Sequence, residues 1–248
     1  MNPLAAALAL TPGFALGSFL TVVVARVPRR ESIVRPSSAC RACGIPIRWR
    51  DNVPLLSYVW LRGRCRACRA PIGSMYPLVE LATAGFVVTC ALVYGLSARA
   101  AVAAFFGVVL IAISIIDIEH RIVPNRIVLP ATVVMLAAQT IREPSPRWLL
   151  SALVASGFLF AAALAYPRGM GMGDVKLALF LGAGLGPPVA VALMVGMVAA
   201  VVPSIALFVR FGTRARKIAI PFAPFLTLGA LFALFFGDAI MHWYLHLR

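Results

Sequence analysis

Acidic residues are scarce in this chain. Only 8 Asp and Glu stand against 23 Lys and Arg in 248 residues, and charged residues of both signs make up just 12%. An ordinary soluble domain is about a quarter charged and half apolar. Here 62% of the residues are hydrophobic, more than a water-soluble globule can hide. That excludes a soluble enzyme, a disordered tail and a secreted disulfide scaffold. A basic excess of this size points to nucleic acid in a soluble protein. In a membrane protein it marks loops that face anionic lipid. The positions of the basic residues decide between the two.

The first apolar stretch, residues 3–25, lacks any preceding basic residue, and Arg26, Arg29 and Arg30 follow it. A cleavable signal peptide has the opposite polarity. The expectation is an uncleaved first span with its N-terminus outside and its other end in the cytoplasm. Seven further apolar stretches run over 78–96, 100–116, 127–141, 148–166, 175–185, 189–209 and 221–244. A span needs about 20 residues, so the fourth and sixth of the eight are short. With this topology 19 Lys and Arg fall on the cytoplasmic side, 11 of them between Arg26 and Tyr76, and others at Arg121, Arg126, Arg168, Lys176 and in the 210–217 loop. Only Arg99, Arg142, Arg147 and Arg248 fall outside. The asymmetry is a topology signal, and nucleic-acid binding is rejected.

The fold class expected is an all-α polytopic membrane protein of about eight transmembrane helices with a small zinc-stabilised cytoplasmic loop domain. Its parts are a first helix (1–25), a four-cysteine loop domain (26–77) and a transmembrane core (78–248). The loop is too small to hold a robust apolar core alone. Four of the chain's five cysteines lie in it, as Cys40-Arg-Ala-Cys43 and Cys65-Arg-Ala-Cys68, 21 residues apart. Two such knuckles close a tetrahedron about Zn²⁺. Flanking Arg41, Arg64, Arg66 and Arg69 favour the thiolates, and a reducing cytoplasm disfavours disulfides. Free thiols or a redox pair are the alternatives. Cys90, inside an apolar stretch, reads as a packing residue.

The few acids can be placed individually. Glu31, Asp51, Glu143 and Asp238 lie where water reaches them. Glu80, Asp117, Glu119 and Asp174 lie at the cytoplasmic ends of apolar stretches, where acids are costly and tend to be functional. Asp117 ends the run Ile111–Ile116 and is followed by the helix-breaking Pro124. Asp174 closes Gly171-Met172-Gly173-Asp174 and opens the sixth stretch, where Gly171 and Gly173 permit a close approach and the field of a helix N-terminus favours a carboxylate. Ordinary interfacial carboxylates are one reading of this pair. The other is an aspartic peptidase dyad, in which two carboxyl groups share one proton. One accepts a proton from the attacking water and the other donates to the peptide carbonyl. Glu119 is an alternative partner but faces away from Asp117 if the helix continues. The glycine-rich cofactor loop of soluble methyltransferases is absent, and Gly182-Ala183-Gly184-Leu185-Gly186 reads as helix packing and a turn.

These residues resemble the bacterial type IV prepilin peptidases, GxGD aspartic membrane peptidases. The likeness covers Gly17-Ser18-Phe19-Leu20, Arg26-Val27-Pro28, both C-x2-C pairs, Pro54-Leu55-Leu56-Ser57-Tyr58, Arg62-Gly63-Arg64-Cys65 and Tyr76-Pro77-Leu78-Val79-Glu80. It continues through Asp117 with Pro124-Asn125, Gly171 to Lys176, and Pro221-Phe222-Ala223-Pro224-Phe225. The resemblance implies eight membrane helices of the bacterial inner membrane, with Asp117 and Asp174 as catalytic pair at the cytoplasmic face. It implies cleavage of the basic leader of type IV prepilins or type II secretion pseudopilins. It also implies N-methylation of the new N-terminus, typically phenylalanine, with S-adenosylmethionine, an activity linked to the zinc loop. Glu80 is then a supporting acid or a contact for the basic leader, and otherwise an interfacial cap. Lys176 contacts a substrate carboxylate or snorkels to lipid phosphate. The chain has Thr21, Met75 and Ala223 where the family usually has Asn, Arg and Gly. Alternatives are a peptidase without methyl transfer, a presenilin-like or archaeal preflagellin peptidase, a proton-coupled transporter, and a non-catalytic secretion scaffold. A transporter places its acids near the midplane and often carries repeats, and no internal repeat is evident.

Overall fold

The computed structural model describes residues 3–166, 170–212, 214 and 220–246, with the side chains of 245 and 246 set aside. Arg168, Arg216, Lys217 and Arg248, counted above in the charge asymmetry, lie outside the described residues. The helices are α1 (Pro3–Arg26), α2 (Leu56–Trp60), α3 (Met75–Tyr94), α4 (Ala98–His120), α5 (Asn125–Arg142), α6 (Arg147–Ala165), α7 (Met172–Leu185), α8 (Val189–Phe211) and α9 (Ala223–His246). A short 3₁₀ turn covers Trp49–Asn52. Among the described residues there is no β-strand beyond two isolated bridges in the cysteine loop.

The protein is an all-α polytopic membrane protein. Six helices, α1, α3, α4, α6, α8 and α9, are long and apolar enough to cross a membrane. The fourth and sixth apolar stretches form helices α5 and α7 that do not meet that standard, so among the described residues length and composition identify six of the eight expected spans. The reason is clear for α7. Its 14 residues rise about 21 Å, short of a hydrocarbon core of about 30 Å. It is apolar all round because it is buried all round: Leu177, Ala178, Phe180, Leu181 and Ala183 are fully enclosed.

The chain forms two compact units, Met1–Val108 and Val109–Arg248. In the first, α1 packs along α3. The contact is a seam of small residues on α1, Ala5, Ala9, Gly13 and Gly17, four apart and all buried. A Cβ on Gly13 would lie 2.9 Å from the Ala84 Cα, and one on Gly17 2.7 Å from the Glu80 Cα. Small residues at this spacing let helix backbones touch, which drives helix pairing where the hydrophobic effect is silent.

In the second unit α7 is the hub and packs against α5, α6, α8 and α9, while α8 packs along α9. Gly182 lies against the α6 backbone at Ser151 and Ala152. Gly186, with φ of +67°, ends α7. Gly229 of α9 lies against the Ala192 carbonyl of α8. The outward Met194, Val198, Val201 and Val202 of α8 are exposed, as a lipid-facing surface requires.

Candidate active site and metal centre

Asp117 sits in the last turn of α4, next to the buried Ile116 and one turn after the buried Ile113, and is itself only 6% exposed. The helix ends just beyond it because Arg121 takes a positive φ of 56° and donates its N–H to the Asp117 carbonyl at 2.8 Å. Pro124 then starts α5. The Asp117 side chain faces the first turn of α9. Its Oδ2 accepts the Ala223 N–H at 3.1 Å, and the Phe222 N–H also reaches the carboxylate. One turn back, the Ser114 hydroxyl donates to Thr227 Oγ1 at 2.7 Å, which fixes the same seam a second time.

Asp174 lies in the first turn of α7, which starts at Met172, two residues before the predicted start. Gly171 is its extended N-cap, and the Asp174 N–H donates to the Gly171 carbonyl at 3.1 Å. The Gly171 N–H in turn bonds the Asp174 carboxylate, which is close enough to Asp117 for their charges to interact. Gly173 lies against Val123. A Cβ there would lie 3.0 Å from the Val123 Cβ and 3.1 Å from its Cγ2. The GxGD segment thus packs directly on the loop that follows Asp117.

The remaining predicted residues find definite partners. Lys176 Nζ donates to Asn125 Oδ1 at 2.9 Å and ties α7 to the start of α5. Asn125 was visible only as part of a motif, with no role attached. Glu119 is exposed beside His120, as its helical offset requires. Glu80 belongs to the first unit. There its Oε2 accepts the Leu55 N–H at 2.8 Å and the Ser18 hydroxyl bonds the same carboxylate. Leu55 has φ of 59° and ψ of −49°, and the Leu56 N–H closes onto the Pro54 carbonyl at 2.6 Å. This is the rare, strained form of γ-turn, and Glu80 holds it.

The four loop cysteines come together. Their sulfurs all lie within 4.8 Å of one another, and Cys40 Sγ is 3.8 Å from Cys68 Sγ. A tetrahedral Zn²⁺ with Zn–S of about 2.3 Å sets its sulfurs about 3.8 Å apart, so the donor set fits a metal ion. Cys90 is buried in α3. The Cys43 and Ala42 N–H groups donate to Cys40 and lower it to about 6. At Cys68 the Ala70 N–H favours the thiolate, but desolvation and the thiols of Cys43, Cys65 and Cys40 outweigh it and push the group up to about 11. A bound cation relieves that crowding and holds every ligand as thiolate.

The loop contains a short repeat. In 38–47 and again in 63–72, the residue after the second cysteine takes a positive φ (Gly44 71°, Arg69 59°) and donates back to the first cysteine's carbonyl. Each knuckle closes on a proline through a bridge, Ala39 to Pro46 and Arg64 to Pro71. The signal was there in the shared Cys-Arg-Ala-Cys and Pro-Ile. Asp51 links the 3₁₀ turn to the second knuckle through Arg66, whose Nη2 is 2.6 Å from Oδ1, and this hydrogen-bonded guanidinium holds Asp51 below the usual carboxylate range.

Residues 12–94 match the bacterial peptidase A24 N-terminal domain, and residues 104–209 match the type IV leader peptidase family. The prepilin leader peptidase/N-methyltransferase of Bacillus subtilis (strain 168) is 33% identical over 236 residues, 94% of this chain and 95% of its own. The protein of that name from Aeromonas hydrophila is 32% identical over 266 residues, covering 93% and 90% of the two chains. Its namesake in Pseudomonas aeruginosa is 34% identical over 274 residues, covering 94% and 91%. No solved structure matches.

Proposed function

The chain belongs to the bacterial type IV leader peptidase family, and from that premise we propose that Asp117 and Asp174 cleave the basic leader from type IV prepilins or type II secretion pseudopilins. The protein is a prepilin peptidase and N-methyltransferase, multi-pass in the inner membrane. The observation that supports the dyad is that Asp117, at the end of α4 and held against the start of α9, lies near enough to Asp174 in the first turn of α7 for their charges to interact within one unit. The pair shares a proton. The ionised group takes a proton from water as that water attacks the peptide carbonyl. The protonated group donates to the carbonyl oxygen and then assists the departing amine. The Ala223 N–H holds Asp117 by Oδ2, and the Gly173–Val123 contact sets the approach of Asp174.

The arginine-rich loop, by the charge rule, lies in the cytoplasm with the N-terminus outside. The scissile bond, between a basic leader and a membrane helix, lies at that same face. Cys40, Cys43, Cys65 and Cys68 hold a structural zinc ion, which closes the loop and supplies no step of the cleavage. S-adenosylmethionine supplies the methyl group in the second activity. No residue of the chain is assigned to it.

The test is cleavage of a purified prepilin by the detergent-solubilised protein beside Asp117→Asn and Asp174→Asn. Each variant is expected to lose about 10²- to 10⁴-fold in rate. Undiminished cutting by both variants overturns the dyad. Mass analysis of the product with the methyl donor present separates a bifunctional enzyme from a peptidase alone.

A further inference from the structure

Helix α2 is built inside out. Its Ser57 hydroxyl turns back to the Val53 carbonyl at 2.7 Å, and its Tyr58 ring packs over Gly63 with the hydroxyl towards the Ile72 carbonyl. The polar-tipped side chains therefore face the loop interior. Leu56, Val59 and Trp60, at i, i+3 and i+4, form one outward face and are 69%, 67% and 82% exposed. Trp49 of the adjoining 3₁₀ turn is 77% exposed. Tryptophan is ordinarily well buried in a soluble domain, so a cluster of this kind marks an interaction surface.

Three observations identify what covers it. The first is position. The loop is strapped to the ends of two helices that are long and apolar enough to cross a membrane. Leu55, the N-cap of α2, donates to Glu80 in the second turn of α3. Arg26 at the end of α1 donates to the Ser32 carbonyl at 2.9 Å, and Arg41 sits over the Tyr76 ring at the start of α3. A surface held at the end of two spans lies at headgroup depth. The second is charge. Arg48, Arg50 and Arg62 flank the apolar face and are exposed, with the Arg50 guanidinium 5.5 Å from the Trp49 ring. Between Arg26 and Tyr76, 11 basic residues face only Glu31 and Asp51, and Arg66 already engages Asp51. The third is composition, because Trp with Arg is the pairing of membrane interfaces. A basic prepilin leader, the substrate segment of the proposed function, is repelled by this arginine rim.

We propose that the outward face of α2 together with Trp49 docks the cysteine loop onto the bilayer surface by inserting into the interfacial zone of anionic lipids. The loop is then a peripheral membrane-binding domain fixed at both ends to spans, with its four-cysteine core held against the membrane.

The test uses the full chain in vesicles, with Trp60 as sole tryptophan (Trp49→Phe, Trp148→Phe, Trp243→Phe) and a second protein retaining only Trp49. Vesicles of zwitterionic lipid, the same with added phosphatidylglycerol, and both with brominated acyl chains are compared. The expected result is a blue-shifted Trp60 emission that loses intensity to bromines near the headgroup end of the chain and is shielded from aqueous iodide. The loss is expected to be larger with phosphatidylglycerol. Leu56→Asp is expected to reduce bromine quenching of Trp60 while zinc content stays at one per chain. Trp60 emission open to iodide and indifferent to bromines overturns the proposal. So does shielding that arises only when prepilin is added, which would assign the face to a protein partner.

Discussion

The Asp117 carboxylate caps the first turn of α9 by accepting the N–H of Ala223, its first residue, at 3.1 Å. The donor is a backbone group, so ordinary substitutions at position 223 leave it in place. Proline removes it, and the first position of a helix is where proline is best tolerated. Ala223 is fully buried, so Ala223→Pro is expected to lower kcat for prepilin cleavage by at least the roughly 10- to 100-fold that follows from a hydrogen bond to a charged group contributing about 1.5–3 kcal/mol. KM is expected to change little. Ala223→Gly keeps the N–H and is expected to cut near the wild-type rate. Equal losses in both variants would mean that packing at position 223 matters and the donor does not.

Gly173 packs the segment before the second aspartate against the loop that follows the first. A methyl group there would press on the Val123 side chain at 3.0 Å and 3.1 Å. Gly173→Ala is expected to lower cleavage by pushing Asp174 away from Asp117, and overpacking of this kind costs about 1–3 kcal/mol. Val123→Ala removes the Cγ2 contact and leaves the one at Cβ, so the double variant Gly173→Ala, Val123→Ala is expected to regain part of the lost rate. A double-mutant cycle on kcat measures that coupling. Additive losses would show that Gly173 acts through something other than Val123.

How far the sequence discloses this site depends on the range of each interaction. The four cysteines were legible because ligand spacing within a knuckle is local, and the structure brings all four together. The two aspartates stood out because acids are rare in apolar stretches, and Gly173 because a glycine beside such an acid signals close approach. Ala223 as a donor was not legible, since a backbone N–H has no residue signature. It depends on where α9 docks against α4. The sequence points Lys176 toward substrate or lipid and gives no sign that its amine donates to Asn125, a pairing set by the packing of α7 on α5. The shortness of α7 was legible. Its role as a buried hub was not, because an apolar run facing lipid and one facing protein have the same composition.

The α1–α3 seam gives a stability prediction with an internal control. A methyl on Gly17 would meet the Glu80 backbone at 2.7 Å and 3.0 Å, and backbone cannot step aside as a side chain can. Gly17→Ala is expected to lower the thermal midpoint of the solubilised protein, with a cost of about 1–3 kcal/mol or more. Gly85 of α3 has nothing within 4 Å of its absent Cβ. Gly85→Ala is expected to be neutral or stabilising by about 0.5–1 kcal/mol, from helix propensity alone. If Gly17→Ala proves as harmless as Gly85→Ala, the two helices do not pack backbone to backbone at this point.

Metal removal is expected to separate the two activities. The loop has little core of its own: Ile45, Ile47, Leu56 and Val59 are all exposed. Its order therefore rests on the sulfur cluster, the Asp51–Arg66 bridge and the Glu80–Leu55 bond. An exposed ion pair contributes roughly 0–1 kcal/mol, whereas a structural zinc supplies about ten times that or more. Chelation, or Cys65→Ser, is therefore expected to release one zinc per chain and disorder the loop, while Asp51→Asn is expected to leave it folded. Neither Asp117 nor Asp174 belongs to the cysteine loop, so the metal-free protein is expected to go on cutting prepilin and to lose N-methylation. The measurement is zinc content alongside product mass, with and without chelator. Loss of cleavage in step with zinc would show that the aspartate pair depends on the folded loop, and retention of both activities without zinc would remove the metal from the function altogether.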